Sequence, residues 1–104
     1  MKRESQWKII PKYSITLNIG QCHFPEDVHS VIQKELGFPE SYGRNWSAFW
    51  DFLDDFCGDR TQPTELQIVG LDELSQEMQR YTKKMVEIME RAAQRYPLIT
   101  VKVK

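Results

Sequence analysis

The sequence predicts an α/β domain built on a small three-stranded parallel sheet packed with about three to four helices. Period-2 apolar alternation appears in three short segments, and helical-period apolar stripes lie between them. Because helices intervene between successive strands, the connections can be right-handed crossovers and the sheet is most simply parallel. The 104 residues suit a single domain over 1–104, with residues 1–10 as a peripheral extension.

Tyr13-Ser14-Ile15-Thr16-Leu17-Asn18-Ile19 alternates as a half-buried strand and ends at Gly20. Pro25-Glu26-Asp27 opens a helix with proline and acids at its positive end. Val28, Val31, Ile32 and Leu36 continue it to the stop at Gly37. A second helix begins at about Asn45, whose side-chain oxygen can accept from the free amides of the first turn. Turning each residue by about 100° places Trp46, Phe49, Trp50, Leu53, Phe56 and Cys57 on one arc. Arg44, Ser47, Ala48, Asp51 and Asp55 fall on the opposite arc, with Asp54 near the boundary. Glu65–Val69 reads as the second strand, closed by Gly70. Met78, Tyr81, Met85, Ile88, Met89 and Ala92 form the apolar stripe of a third helix that Tyr96-Pro97 ends. Leu98–Val103 is the third strand.

Composition narrows the function. With 40% hydrophobic and 28% charged residues the chain is globular. Its formal charge of −1 argues against a nucleic-acid binder, which needs a basic field to displace counterions. The charge is unevenly distributed: residues 40–59 hold five acids and one base, and residues 78–104 hold seven bases and two acids. This predicts one acidic face. Neither a secretory signal nor a membrane-spanning run is expected, so the reading is cytoplasmic with no membrane partner. Cys22 and Cys57 lack metal-type spacing and read as buried small hydrophobes in a reducing compartment.

The segment Pro39-Glu40-Ser41-Tyr42-Gly43-Arg44-Asn45-Trp46-Ser47-Ala48-Phe49-Trp50-Asp51 concentrates the chemistry. Tyr42-Gly43 is expected to make the turn and Asn45 to cap. Ser47, Asp51 and Asp55 stand on successive turns of one helical face, where two carboxylates repel unless a cation arrives. Spacing alone also allows a plain solvated face, and a glycine turn followed by a cap accounts for Tyr42, Gly43 and Asn45. Trp46 reads as core, and Trp50 as a partly exposed indole able to anchor a contact.

Two catalytic classes compete. A cysteine–histidine nucleophile would need Cys22 or Cys57 with His23 or His29, yet no oxyanion-type glycine loop follows. Asp51, Asp54, Asp55 and Asp59 could instead gather a divalent metal for a small hydrolase, since hard cations take several oxygens. His29 reads as a surface or hydrogen-bonded histidine rather than a ligand. A generic adaptor using the same face is a third reading.

Y-G-x-N followed by W-S-A-F-W-D resembles the motif of the barstar family, small bacterial proteins that inhibit ribonuclease toxins. The match is closest over residues 39–53, and the element order fits along nearly the whole chain. The resemblance implies a barstar-like fold and a non-enzymatic immunity protein. It would bind a cognate ribonuclease toxin as a 1:1 complex, with no cofactor, and occlude the active site. It also implies toxin contacts from Tyr42, Gly43, Asn45, Ser47, Trp50 and Asp51, with Asp51 as the phosphate mimic and Asp54 and Asp55 supplying local negative field. Two positions depart from the family pattern: Ser47 replaces an acid one turn before Asp51, and Arg91 stands where a glutamate of the last helix is expected. Glu87 or Glu90 could compensate. Both departures remove negative charge and imply a partner differing in cleft charge or geometry.

Overall fold

The computed structural model describes residues 13–104. The proposed extension over residues 1–10 lies outside them. The chain runs β1 (Ser14–Asn18), α1 (Pro25–Leu36), α2 (Trp46–Gly58), β2 (Thr64–Val69), a 3-10 turn (Leu71–Glu73), α3 (Gln76–Arg95) and β3 (Ile99–Val103). The three strands form one parallel sheet in the order β1-β2-β3, with Ser14 opposite Glu65 and Thr64 opposite Ile99. The α/β class, the strand count and the parallel sense therefore match the sequence reading. The 3-10 turn after Gly70 is the element it did not contain.

Alternation sets the two sheet faces. Ile15 and Leu17 align with Leu66 and Ile68, and all four are essentially inaccessible to solvent. They join Val28, Ile32, Leu36, Phe49, Leu53, Phe56, Met85 and Met89 from the helices in one core. The opposite face is polar. There Gln67 Nε2 donates to Ser14 Oγ at 3.3 Å and Glu65 Oε2 at 3.2 Å, while Lys102 Nζ lies 3.6 Å from Glu65 Oε2. Side-chain hydrogen bonds across strands suit this uncovered face, where apolar side chains would lack cover.

Each helix begins and ends for a local reason. Asp27 in the first turn of α1 accepts from the backbone amides of His23 (2.9 Å) and Phe24 (3.0 Å), and these bonds hold its carboxyl below the usual carboxylate range. Gly37 stops α1 in the left-handed conformation, at φ 72°. Ser75 Oγ caps α3 by accepting from Met78 N–H at 3.2 Å. Thr82, fully buried in that helix, returns its hydroxyl to Met78 O at 2.9 Å and so carries no unpaired polar atom inward.

Candidate functional site

Asn45 lies outside α2 with extended backbone, and its Oδ1 accepts from Ala48 N–H at 2.7 Å. This is the expected cap, and it orients the first turn on which Ser47 sits. The hydrogen-bonded turn before it spans Pro39 to Tyr42, with Tyr42 N–H donating to Pro39 O at 2.9 Å, and so falls earlier than the expected Tyr42-Gly43. Gly43 has no left-handed φ, whereas Arg44 does, at 57°. A Cβ on Gly43 would lie 3.2 Å from Ala48 Cβ, so close packing against the first turn of α2 is what favours glycine there. Arg44 is held in its costly conformation by its own guanidinium. Nη1 donates to Gln33 Oε1 at 2.7 Å, and Nη2 donates to Ser30 Oγ at 2.6 Å and Glu26 O at 3.2 Å. The entry to α2 is thereby clamped onto α1.

Beneath this entry lies a polar hub. His29, 1% exposed, places Nδ1 2.6 Å from the Tyr42 hydroxyl and Nε2 2.8 Å from the Tyr81 hydroxyl. Trp46 packs on both the imidazole and Tyr81, with centroid distances of 4.6 and 4.8 Å. Tyr42 is itself buried against Phe38 and Phe52. Its ring is buried in the unbound chain, where Tyr42 supports the loop from below. Burial lowers the His29 pKa to about 4, assisted by the Arg44 charge, and burial raises the Tyr42 phenol above its ordinary range. Trp46 is half-buried at this hub rather than deep in the core.

The exposed face of α2 carries Ser47, Asp51 and Asp55, as helical spacing predicts. Among the described residues no hydrogen bond or ion pair ties down the Asp51 carboxylate. Asp54 behaves differently. It is half-buried on the flank, where it accepts from the Tyr96 hydroxyl at 2.6 Å and lies 3.2 Å from Arg95 Nε. Its charge is balanced at the C-terminal end of α3 by Arg95.

Asp51 opens onto a groove of about 380 Å³ between α2 and α3, lined by Trp46, Ser47, Trp50, Asp51, Lys84, Ile88 and Arg91. Trp50 is half-buried, as the anchor reading requires, and the Arg91 guanidinium lies 5.3 Å from its ring centroid. The acidic helix thus packs beside the basic one, and Lys84 and Arg91 set positive charge next to the acidic face of α2. Neither Glu87 nor Glu90 lines the groove. Among the described residues no group of three or more His, Cys, Asp or Glu side chains is placed to hold a metal ion, which leaves the aspartate-cluster hydrolase without a ligand set there. Cys22 and Cys57 are free and buried, and burial pushes the Cys57 thiol up to about 12, far from the thiolate a nucleophile requires.

The sequence model of the family described as "Barstar (barnase inhibitor)" matches residues 13–103. The chain belongs to the barstar family. The match covers every strand and helix of the fold, including the Arg44 clamp, the His29 hub and the Asp51 groove of this barstar-family protein. Among the described residues no helix is long and apolar enough to cross a membrane.

Sequence reasoning missed two supporting residues. Arg44 left no signal beyond a base beside a glycine, and Tyr81 read only as part of the apolar stripe of α3. Of the two readings of His29, surface or hydrogen-bonded, the structure shows the second, with both ring nitrogens engaged, and only the tertiary fold reveals its partners.

Proposed function

We propose that this barstar-family protein is a cytoplasmic immunity protein that binds a cognate bacterial ribonuclease toxin as a 1:1 complex and closes its active site with α2. The observation that carries the reading is the unpaired Asp51 carboxylate, exposed on a rigidly capped helix beside the half-buried Trp50. A ribonuclease holds a polyanion with cationic side chains, so a fixed carboxylate can occupy the place of a phosphate. Complementary charge accelerates encounter, and a desolvated, hydrogen-bonded pair slows release. Ser47, Asp55 and Trp50 flank Asp51 in the contact, and Gly43 and Asn45 permit and fix the approach of the helix start. Tyr42 holds that start from within, and Asp54 fixes α2 to the end of α3. The protein performs no chemistry and takes no cofactor.

The test is RNA cleavage by the product of the neighbouring open reading frame, taken as the candidate nuclease. Equimolar wild-type protein should abolish cleavage. Asp51→Lys should restore it, with an unchanged circular dichroism spectrum, and Asp51→Ala should weaken binding by about 2–5 kcal/mol, the range for truncating one partner of a buried interfacial charge pair in other complexes. Cleavage untouched by the wild type, or inhibition untouched by Asp51→Lys, refutes the reading.

A further inference from the structure

We infer that the α2–α3 groove is a bipolar docking surface, and that the nuclease which offers a cation to Asp51 also offers an acidic side chain to Lys84 and Arg91. The inference rests on the reading of this face as nuclease-binding and adds the charge pattern its partner must carry.

Lys84 and Arg91 stand seven residues apart on α3, about two helical turns, and so project to the same side. Both are exposed and both line the groove that Asp51 lines. Among the described residues neither has a carboxylate within 4.0 Å, Asp51 included. Arg95 is engaged with Asp54, and Arg44 with the groups it clamps on α1. The groove therefore holds two unsatisfied cations and one unsatisfied carboxylate, a net of +1.

A protein surface that covers Asp51 closely enough to pair with it also covers these neighbours. Removing a cation from water without an opposite charge is costly, and facing it with another cation adds repulsion. A partner presenting only cations would gain at Asp51 and lose at Lys84 and Arg91. One presenting a carboxylate beside its cation satisfies all three. Arg91 is suited to this role, because its packing on Trp50 limits the side chain's freedom while the guanidinium offers several donors to one carboxylate. The pair thereby selects among nucleases that share a phosphate-binding cleft.

The experiment is calorimetric titration of the catalytically inactive neighbouring-frame nuclease into the wild type and into Asp51→Ala, Lys84→Glu, Arg91→Glu, Arg91→Gln and Arg91→Lys, each checked for folding by circular dichroism. Arg91→Glu and Lys84→Glu should each weaken binding about tenfold or more, Arg91→Gln less, and Arg91→Lys least. In the Arg91→Glu background, changing one acidic residue of the nuclease to lysine should recover the lost affinity. Should Asp51→Ala weaken binding while Arg91→Glu and Lys84→Glu leave it unchanged or tighten it, the bipolar assignment is overturned and the inhibitor reading stands. Should Asp51→Ala have no effect, or no complex form, the inhibitor reading falls and this inference with it.

Discussion

The Nδ1 of His29 lies 2.6 Å from the Tyr42 hydroxyl, so a side chain of α1 holds the loop that leads into the candidate binding helix. With Tyr81 on the other ring nitrogen, the neutral imidazole accepts from one phenol and donates to the other. A second proton makes both nitrogens donors, leaving one phenolic hydrogen to find another acceptor.

This arrangement predicts acid sensitivity. The folded-state pKa of about 4 lies below the unfolded value of 6.5, so between these limits the unfolded chain binds more protons. Stability from His29 is fully present above pH 6.5 and is lost as pH falls toward 4, by an amount on the order of 3 kcal/mol. Urea titrations at pH 7, 5.5 and 4 should show the wild type losing more stability than His29→Gln across that window. Parallel pH profiles for the two proteins would exclude this account.

Arg44 supports the same entry through an opposing pair of effects. Its φ of 57° is costly for a residue with a Cβ, and its three guanidinium hydrogen bonds offset that cost. Arg44→Ala keeps the strain and loses the clamp, whereas Arg44→Gly loses the clamp and relieves the strain. The glycine variant should therefore be the more stable of the two by about 1 kcal/mol, measured by chemical denaturation, with both below the wild type. Equal stabilities would show that the backbone stores no strain there.

Local signals made much of this legible in the sequence. Proline, early acids and Gly37 delimit Pro25–Leu36 without tertiary information, and Asn45 marks the start of α2 for the same reason. The Ser47, Asp51 and Asp55 face follows from helical rotation alone. The state of each charge did not follow. Asp54 and Asp51 are three residues apart, yet one is paired with residues 95 and 96 and the other faces a groove. That distinction depends on how α3 lies against α2, which no periodicity encodes. The left-handed backbone at Arg44 was not legible either, because the hydrogen bonds that hold it there come from distant residues of α1.

Gly70 and Gly20 predict a contrast in stability. Gly70 has φ 95°, and a Cβ there would lie 2.5 Å from Gly20 N and 2.6 Å from Gly20 Cα, both backbone atoms. Gly70→Ala should cost about 3 kcal/mol or more, combining a disfavoured conformation with an immovable clash. A Cβ on Gly20 meets chiefly the carboxylate end of Glu73, a flexible side chain that can turn aside. Gly20→Ala should cost less than about 1 kcal/mol, and thermal melts of the two variants decide the matter. Equal losses would mean that the loops after β1 and β2 relax together.

Asp54 and Asp51 should separate folding from binding. Asp54 accepts the Tyr96 hydroxyl and pairs with Arg95, and Tyr96 follows directly on α3 where the chain turns toward β3. Removing the carboxylate frees that corner and leaves the groove residues in place, because Asp54 does not line the groove. Asp54→Asn should lower the unfolding midpoint while nuclease affinity stays within about twofold of the wild type, as expected for a position outside the contact. Asp51→Asn should do the reverse: its side chain has no partner among the described residues, so the midpoint should hold or rise while affinity falls. Denaturation and calorimetry on the two variants measure both quantities. If Asp54→Asn weakens binding as much as Asp51→Asn does, the contact extends past the groove onto the α3 end of the molecule, and Asp54 gives up its Tyr96 bond when the partner docks.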